Sequence, residues 1–304
     1  MVSVPPHSRR RATLNLRNGG GHACIGFYAS RSHELIDVHE CHVLRPGLFR
    51  LAQGLRELLG PVLGSGNSAN LYMLEADNGF DLAIEATLSR GAELSGRVAS
   101  AVAKLGLLRV TADSDLLYQS GAPEVSFGKA RVVLPPNAFL QPTREGEALL
   151  QARVAEAMGK AKRIADLFSG CGTFSLPLAE RARIHAVDTE RPMLEALARA
   201  TRSTPGLKPV TTESRDLFKR PLAPAELNRF DAVVLDPPRA GALAQVKQLS
   251  RSTISRIAYV SCDAASFARD MRILIDGGFR LDGIVGVDQF LWSAHIELAA
   301  AFSR

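Results

Sequence analysis

No stretch of the sequence approaches the ~18 consecutive apolar residues that span a bilayer. A membrane-spanning helix is therefore not expected. The segment from Met1 to Arg11 has no apolar core of the kind a secretory signal carries, so a cytoplasmic location is expected. Cysteine is scarce. The four residues Cys24, Cys41, Cys171 and Cys262 lie far apart, which fits a reduced compartment better than a disulfide framework. Cys24 and Cys41 fall among His22, His33, His39 and His42, but no spacing gives the paired cysteine or histidine sets of a zinc site. No metal is expected, and there is no internal repeat or low-complexity tract.

What is present is ordinary for a soluble globular chain: 46% apolar and 22% charged residues, over a length of 304 that allows two domains. Lysine and arginine (37) exceed aspartate and glutamate (31), leaving a formal charge of +6. That excess inclines the protein towards an anionic partner. Arg9, Arg10, Arg11 and Arg17 precede any acidic residue, which suggests a basic edge on the N-terminal part.

Residues 1–125 read as a small α+β module. Strands are expected at 11–17, 23–28, 35–38, 71–75, 80–85 and 107–110, with Asp77, Asn78 and Gly79 as a hairpin turn. Pro46 opens a helix to about residue 63 with Leu48, Leu51, Leu55, Leu58 and Leu59 on one stripe, and 95–105 reads as a second helix. The module has no chemistry of its own. It is a lid, a support or an RNA platform.

From residue 126 to the end, strands and helices alternate. Thr143 is the expected N-cap of a helix that buries Leu149, Leu150, Val154 and Met158. Strands follow at 164–168, 184–188, 210–212, 231–236 and 257–261, with helices after the first two, to about residue 182 and over 191–200. Alternation of this kind implies a doubly wound parallel sheet with its ligand at the carboxyl ends of the strands. The last two strands, 284–287 and 296–302, have no helix between them, so that pair is expected to be antiparallel.

The polar residues collect at those strand ends. Gly170 and Gly172 form a tight turn after the first strand, where a backbone can approach an adenosine-bearing cofactor. Ser175 stands where a dinucleotide fingerprint has its third glycine, so the turn alone does not single out a nicotinamide. Asp188 ends the second strand, where a carboxylate grips ribose hydroxyls or else caps the next helix. Asp236 is followed by Pro237, Pro238 and Arg239, a stiff exit lacking two N–H donors that suits a floor beneath a planar base. Cys262 opens a helix, where the dipole favours thiolate; Asp263 opposes it unless it serves as the N-cap.

In this order, Asp166-Leu167-Phe168, Gly170, Gly172-Thr173-Phe174, Leu176-Pro177, Asp236-Pro237-Pro238-Arg239, Gly241, Tyr259-Val260-Ser261-Cys262 and His295-Ile296-Glu297 resemble the S-adenosylmethionine-dependent RNA uracil-C5 methyltransferases of bacterial ribosomal and transfer RNA. The resemblance runs from about Gly128 to the end, and more loosely through Gly26-Phe27-Tyr28 and Ser32-His33-Glu34. It implies a Rossmann-like class I methyltransferase domain, a seven-stranded mostly parallel sheet with the last strand antiparallel, after a smaller α+β domain. It also implies S-adenosyl-L-methionine contacts from Gln141, Phe168, Asp188 and Asp236, with Thr173 and Asp216 as further candidates. Cys262 would be the nucleophile and Glu297 the base. Many ribosomal members carry an N-terminal barrel and four cysteines around an iron–sulfur cluster. Here the barrel is missing and only Cys41 stands at a ligand position, so no cluster is expected.

The chemistry explains the residue types. Carbon 5 of uracil is a poor nucleophile until a thiolate adds to carbon 6, and its proton must then leave to a base. An embedded uridine must first be unstacked. Ribosomal RNA is favoured over transfer RNA. The alternatives are a cytosine or exocyclic-nitrogen methyltransferase, and a non-catalytic RNA-binding relative.

Overall fold

In the computed structural model the described residues are all except 20–21, 30–31, 62, 64–65, 87–95, 97–103 and 114. They fall into two compact units, Pro5–Val125 and a second made of Ser126–Arg304 with Met1–Val4.

In the first unit, β2 (Arg11–Asn18), β3 (Ala23–Tyr28), β4 (Leu35–Asp37), β5 (Ser68–Glu75), β6 (Phe80–Ala86), β7 (Leu107–Ala112) and β8 (Asp115–Gln119) form one sheet in the order β4-β3-β2-β5-β6-β7-β8; β1 (Val2–Ser3) belongs to the other unit. Neighbours are antiparallel except β6 and β7. Alternation puts Ala12, Leu14 and Leu16 on the buried face, against Leu48, Leu51, Leu55 and Leu59 of the helix Pro46–Leu59. That helix stops short of residue 63, because Pro61 has no N–H to continue the ladder, and Leu58 is only half-buried. The Asp77–Gly79 turn closes as expected, with Ala76 N–H donating to Gly79 O at 2.9 Å. β8 was not foreseen, and most of the helix expected at 95–105 lies outside the described residues.

Two other expectations change here. Arg10 is buried, and Arg9 and Arg11 are half-buried, so of the four early arginines only Arg17 is fully on the surface. His22, Cys24 and Asp37 bring ligand-type atoms within 4.8 Å of one another, because β3 and β4 pair antiparallel although the residues are far apart in sequence. Arg56 already neutralises that carboxylate, and Ile25 N–H donates to its Oδ1 at 3.0 Å.

β9 (Glu124–Phe127), which runs across the Val125/Ser126 boundary, and β10 (Ala130–Val133) form a two-stranded sheet about Gly128, whose φ is 56°. The main sheet of the second unit contains β11 (Arg163–Leu167), β12 (Arg183–Asp188), β13 (Val210–Ser214), β14 (Ala232–Leu235), β15 (Arg256–Ser261), β16 (Arg280–Asp288) and β17 (Glu297–Ser303), in the order β1-β16-β17-β15-β14-β11-β12-β13. β17 is antiparallel to both neighbours; every other pairing is parallel. The expected count of seven becomes eight because β1 pairs with the end of β16. All four residues of β14 are buried, as a central strand covered on both faces requires.

The helix Arg144–Met158 is capped as expected, Thr143 Oγ1 accepting from Gly146 N–H at 2.9 Å, though Leu149 is only half-buried. The helix after β11 is far shorter than expected, Ser175–Ala179, since Glu180 and Arg181 bond three residues back and close the turn. Strand order reverses between β11 and β14, with β12 on one side and β15 on the other. That reversal places a crevice at the carboxyl ends of these strands. Among the described residues, no helix is long and apolar enough to cross a membrane.

Candidate active site

The turn after β11 is held open by backbone conformation. Phe168, Gly170 and Gly172 have φ of 64°, 53° and 100°. A Cβ on Gly172 would lie 2.6 Å from Leu197 Cδ1, whereas one on Gly170 would meet open space. Gly172 is thus needed for packing, while Gly170 borders a vacant side of the turn. A bulky residue at positive φ is costly, and Phe168 holds this conformation at the strand end where a ligand would sit. Asp188 braces the turn: its Oδ2 accepts from Gly170 N–H at 2.8 Å and its Oδ1 from Glu190 N–H at 2.9 Å. The next helix begins at Arg191 with Glu190 as its N-cap, so Asp188 does not cap it.

Phe168 meets Phe218 at a ring separation of 5.5 Å. Asp216 forms the turn that presents Phe218, accepting from the N–H groups of Phe218 (3.0 Å) and Lys219 (3.2 Å). Desolvation pushes the Asp216 carboxyl up, but those bonds and the Lys219 charge prevail and leave it below its usual range. Thr173 is half-buried, and its carbonyl accepts from Gln151 Nε2 at 2.9 Å.

Acidic groups crowd the crevice floor. Asp166 is fully buried; Ser175 Oγ donates to its Oδ2 at 2.6 Å, and its Oδ1 has no partner among the described residues. Burial raises the Asp166 carboxyl to about 7, against the Ser175 hydrogen bond and with help from the Asp188 charge. Asp236 is likewise pushed well up, by burial first, then by Glu297, Asp166 and Asp188; a hydrogen bond from Gln141 Nε2 at 3.4 Å opposes this.

A chain of amides ties the two ends of this unit together. Gln289 Nε2 donates to Gln141 Oε1 at 2.9 Å and to Glu297 Oε2 at 3.5 Å, while Thr143 Oγ1 donates to Gln289 Oε1 at 3.4 Å. Gln141, Gln289 and Glu297 are all buried. A Cβ on Gly146 would collide with Gln289 Oε1, so only glycine lets the helix start pass this close.

Cys262 directly follows β15 and is half-buried. Asp263 is the N-cap of the helix Ala264–Asp276, its Oδ1 accepting from Ser266 N–H at 2.8 Å. The Cys262 thiol is pushed up by burial and then by the Glu297 and Asp236 charges, with Arg239 opposing them. Those four groups therefore share one electrostatic neighbourhood. The loop carrying Arg239 is anchored from behind: Ala242 N–H donates to Asp270 Oδ2 at 2.6 Å, and Tyr259 Oη donates to the same oxygen at 2.7 Å. Arg239 Nη2 lies 2.9 Å from His295 Nδ1.

The crevice thus gathers Gln141, Asp236, Cys262 and Glu297, and the glycine turn gathers Phe168 and Asp188, with Asp216 reaching it through Phe218. Cys171 is buried. Sequence reasoning missed Gln289, Phe218 and the titration of Asp166. Phe218 stands two residues after Asp216, but nothing in the loop after β16 marked Gln289.

A parallel sheet with an antiparallel last strand, acids at its strand ends and a glycine turn after β11 define a Rossmann-like class I methyltransferase. The chain belongs to the tRNA (uracil-5-)-methyltransferase family, whose family model matches residues 128–304. An uncharacterized RNA methyltransferase of Rhizobium meliloti is 39% identical over 100% of this chain and 73% of its own length. A 23S rRNA (uracil(1939)-C(5))-methyltransferase of Pectobacterium atrosepticum is 30% identical over 99% of this chain and 69% of its own. The tRNA (uracil-54, C5)-methyltransferase of Pyrococcus abyssi, solved with S-adenosyl-L-homocysteine, has a TM-score of 0.77 and 22% identity, covering 99% of this chain and 78% of that one. At that identity the likeness speaks for the fold.

Proposed function

We propose that this protein transfers a methyl group from S-adenosylmethionine to carbon 5 of a uridine in RNA, with Cys262 as nucleophile and Glu297 as base. The observation that carries this reading is the placement of three groups at neighbouring strand ends: Cys262 follows β15, Asp236 follows β14 on one side of it, and Glu297 opens β17 on the other, with Arg239 in the loop after Asp236. Nitrogen methylation needs no thiol there. Ribosomal RNA is favoured, because the relative that is 30% identical along nearly the whole chain is a 23S rRNA enzyme.

The residues fit the cofactor. Buried Asp166 and half-buried Asp188 and Asp236 bring like charges together on this floor, and Asp166 Oδ1 lacks a partner among the described residues. Such a floor suits a ligand with cationic groups and has no use for an uncharged one. Asp188 and the Gly170 turn would hold the ribose, Phe168 and Phe218 the adenine with Asp216 and Thr173 at the rim, and Gln141 and Asp236 the cationic end. When bound, the cofactor supplies an electrophilic methyl group on a sulfonium.

Cys262 Sγ adds to carbon 6 of the ring, its thiolate favoured by Arg239 and disfavoured by the two carboxylates. The electrons displaced onto the ring make carbon 5 nucleophilic, so that it would take the methyl group as the sulfonium carbon–sulfur bond breaks, leaving carbon 5 with both methyl and proton. Glu297 then takes the carbon-5 proton, and those electrons expel the thiolate. Asp236, with Pro237 and Pro238, holds the base edge-on. The first unit would contact or support the RNA. No iron–sulfur cluster is proposed for these 304 residues, because a single cysteine, Cys41, stands at a ligand position and one thiolate does not hold a cluster.

Transfer of labelled methyl to total RNA, followed by nucleoside analysis, tests the reading. The product should be 5-methyluridine. A 5-methylcytidine or N-methyl product would move the protein to another reaction, and RNA binding with no transfer would make it a non-catalytic relative.

A further inference from the structure

The loop between β16 and β17 exposes a large aromatic side chain that the proposed reaction does not use. Ser293 N–H donates to Phe290 O at 3.0 Å, closing a turn in which Trp292 is the third residue, with φ of 60°. That position belongs by preference to glycine or asparagine, and for a bulky side chain it is strained. The strain brings no burial, since Trp292 is 71% exposed. The turn is nevertheless pinned at both ends. On one side Gln289 is buried and bonded to Gln141; on the other His295 lies against Arg239, with its ring 6.1 Å from Phe290. Arg239 also favours the Cys262 thiolate. The loop that carries the exposed indole thus also carries His295, which meets the Arg239 guanidinium, and it leads into β17 beside the end of β15 that precedes Cys262.

Building on the uridine reading above, we propose that Trp292 is a stacking platform for the nucleotide flanking the target uridine, with Arg239 and His295 facing its phosphate. Bases offer an apolar face that an exposed indole can cover, and the adjacent cation suits the backbone charge. Pulling one base out of a stack leaves its neighbour without a partner, and the indole replaces it. A fixed aromatic loses little conformational entropy on contact.

Trp292 is the only tryptophan in the sequence, so its emission reports on this site alone. Titration of the full chain with single-stranded oligouridylate should quench that emission saturably, while polyphosphate of matched charge should not. The W292A variant should raise the KM for RNA roughly 5- to 150-fold, the range a base–aromatic stack contributes. Its kcat and its affinity for S-adenosylmethionine should stay near wild type, and W292F should recover most of the loss. Binding of oligouridylate without quenching, or an unchanged KM in W292A, overturns the platform while leaving the uridine chemistry intact. Wild-type protein that makes no 5-methyluridine overturns the uridine reading first, and the platform with it.

Discussion

Gln141 and Gln289 lie 148 positions apart and are joined by a 2.9 Å hydrogen bond between buried side-chain amides. This bond connects the segment before the first helix of the methyltransferase unit to the loop before its last strand. Through it, Asp236 and Glu297 are held by one amide chain, one on each side of the strand that Cys262 directly follows.

The first prediction concerns that chain. Gln289→Leu keeps the volume but removes every polar contact, leaving Gln141 and Glu297 short of partners in a buried place. Such losses cost about 1–3 kcal/mol each. Denaturant unfolding should show a loss of that order. Misplacing Glu297 by a fraction of an ångström should lower kcat by up to roughly 10²-fold. Wild-type kcat in a folded Gln289→Leu protein would show that the amide chain positions nothing.

The base is tested separately. Glu297→Gln retains size and removes basicity, so methyl transfer should proceed while release fails. Turnover should fall by roughly 10²–10⁴-fold, the usual contribution of a positioned base. A covalent, already methylated RNA adduct should accumulate on denaturing gels. A slow variant without adduct would exclude Glu297 as the base.

The nucleophile can be trapped. RNA containing 5-fluorouridine has no carbon-5 proton to lose, so its adduct with the wild type should survive denaturation, and Cys262→Ala should form none. S-adenosylmethionine affinity by calorimetry should be unchanged in that variant. Adduct in Cys262→Ala would point to another thiol, and buried Cys171 could serve only after local opening.

The acid floor predicts a pH dependence. Asp166 has its carboxyl raised from 3.8 to about 7 by burial. The folded protein thus keeps a proton that the unfolded chain has lost. Stability from this group is complete below about pH 4, declines as pH rises towards 7 and is level above. The empty protein should melt lower at pH 7.5 than at pH 5, by an amount on the order of a few kcal/mol. Asp166→Asn should flatten that slope, and cofactor affinity should strengthen as pH rises through 7. Parallel melting curves for wild type and Asp166→Asn would show that Asp166 does not titrate in this range.

Much of the fold was legible in the sequence because its causes are local. Helix and strand periods, the Thr143 cap and the hairpin at Asp77–Gly79 follow from side-chain pattern and turn chemistry. Alternation of strand and helix implied a parallel sheet, and the missing helix before the last strand implied its reversal, which β17 shows. The motif residues Asp188, Asp236, Cys262 and Glu297 could be found because each closes or opens a strand, where ligands gather.

The rest depended on distance in space. Arg10 looked like surface charge and is buried, since only tertiary packing decides what covers a long side chain. Asp166 looked like an ordinary strand aspartate; its proton affinity comes from burial beside Asp188, which sits on the neighbouring strand. Gln289 gave no local signal at all. Its role arises because the antiparallel return of β17 sets Val287 opposite Glu297, which brings the loop after β16 onto the buried amide of Gln141. Sequence alone could name candidates for the reacting groups, because the proposed chemistry demands particular side chains. Their positions, protonation and mutual support were decided by the tertiary structure, because electrostatics and hydrogen bonds act over ångströms and take no account of separation along the chain.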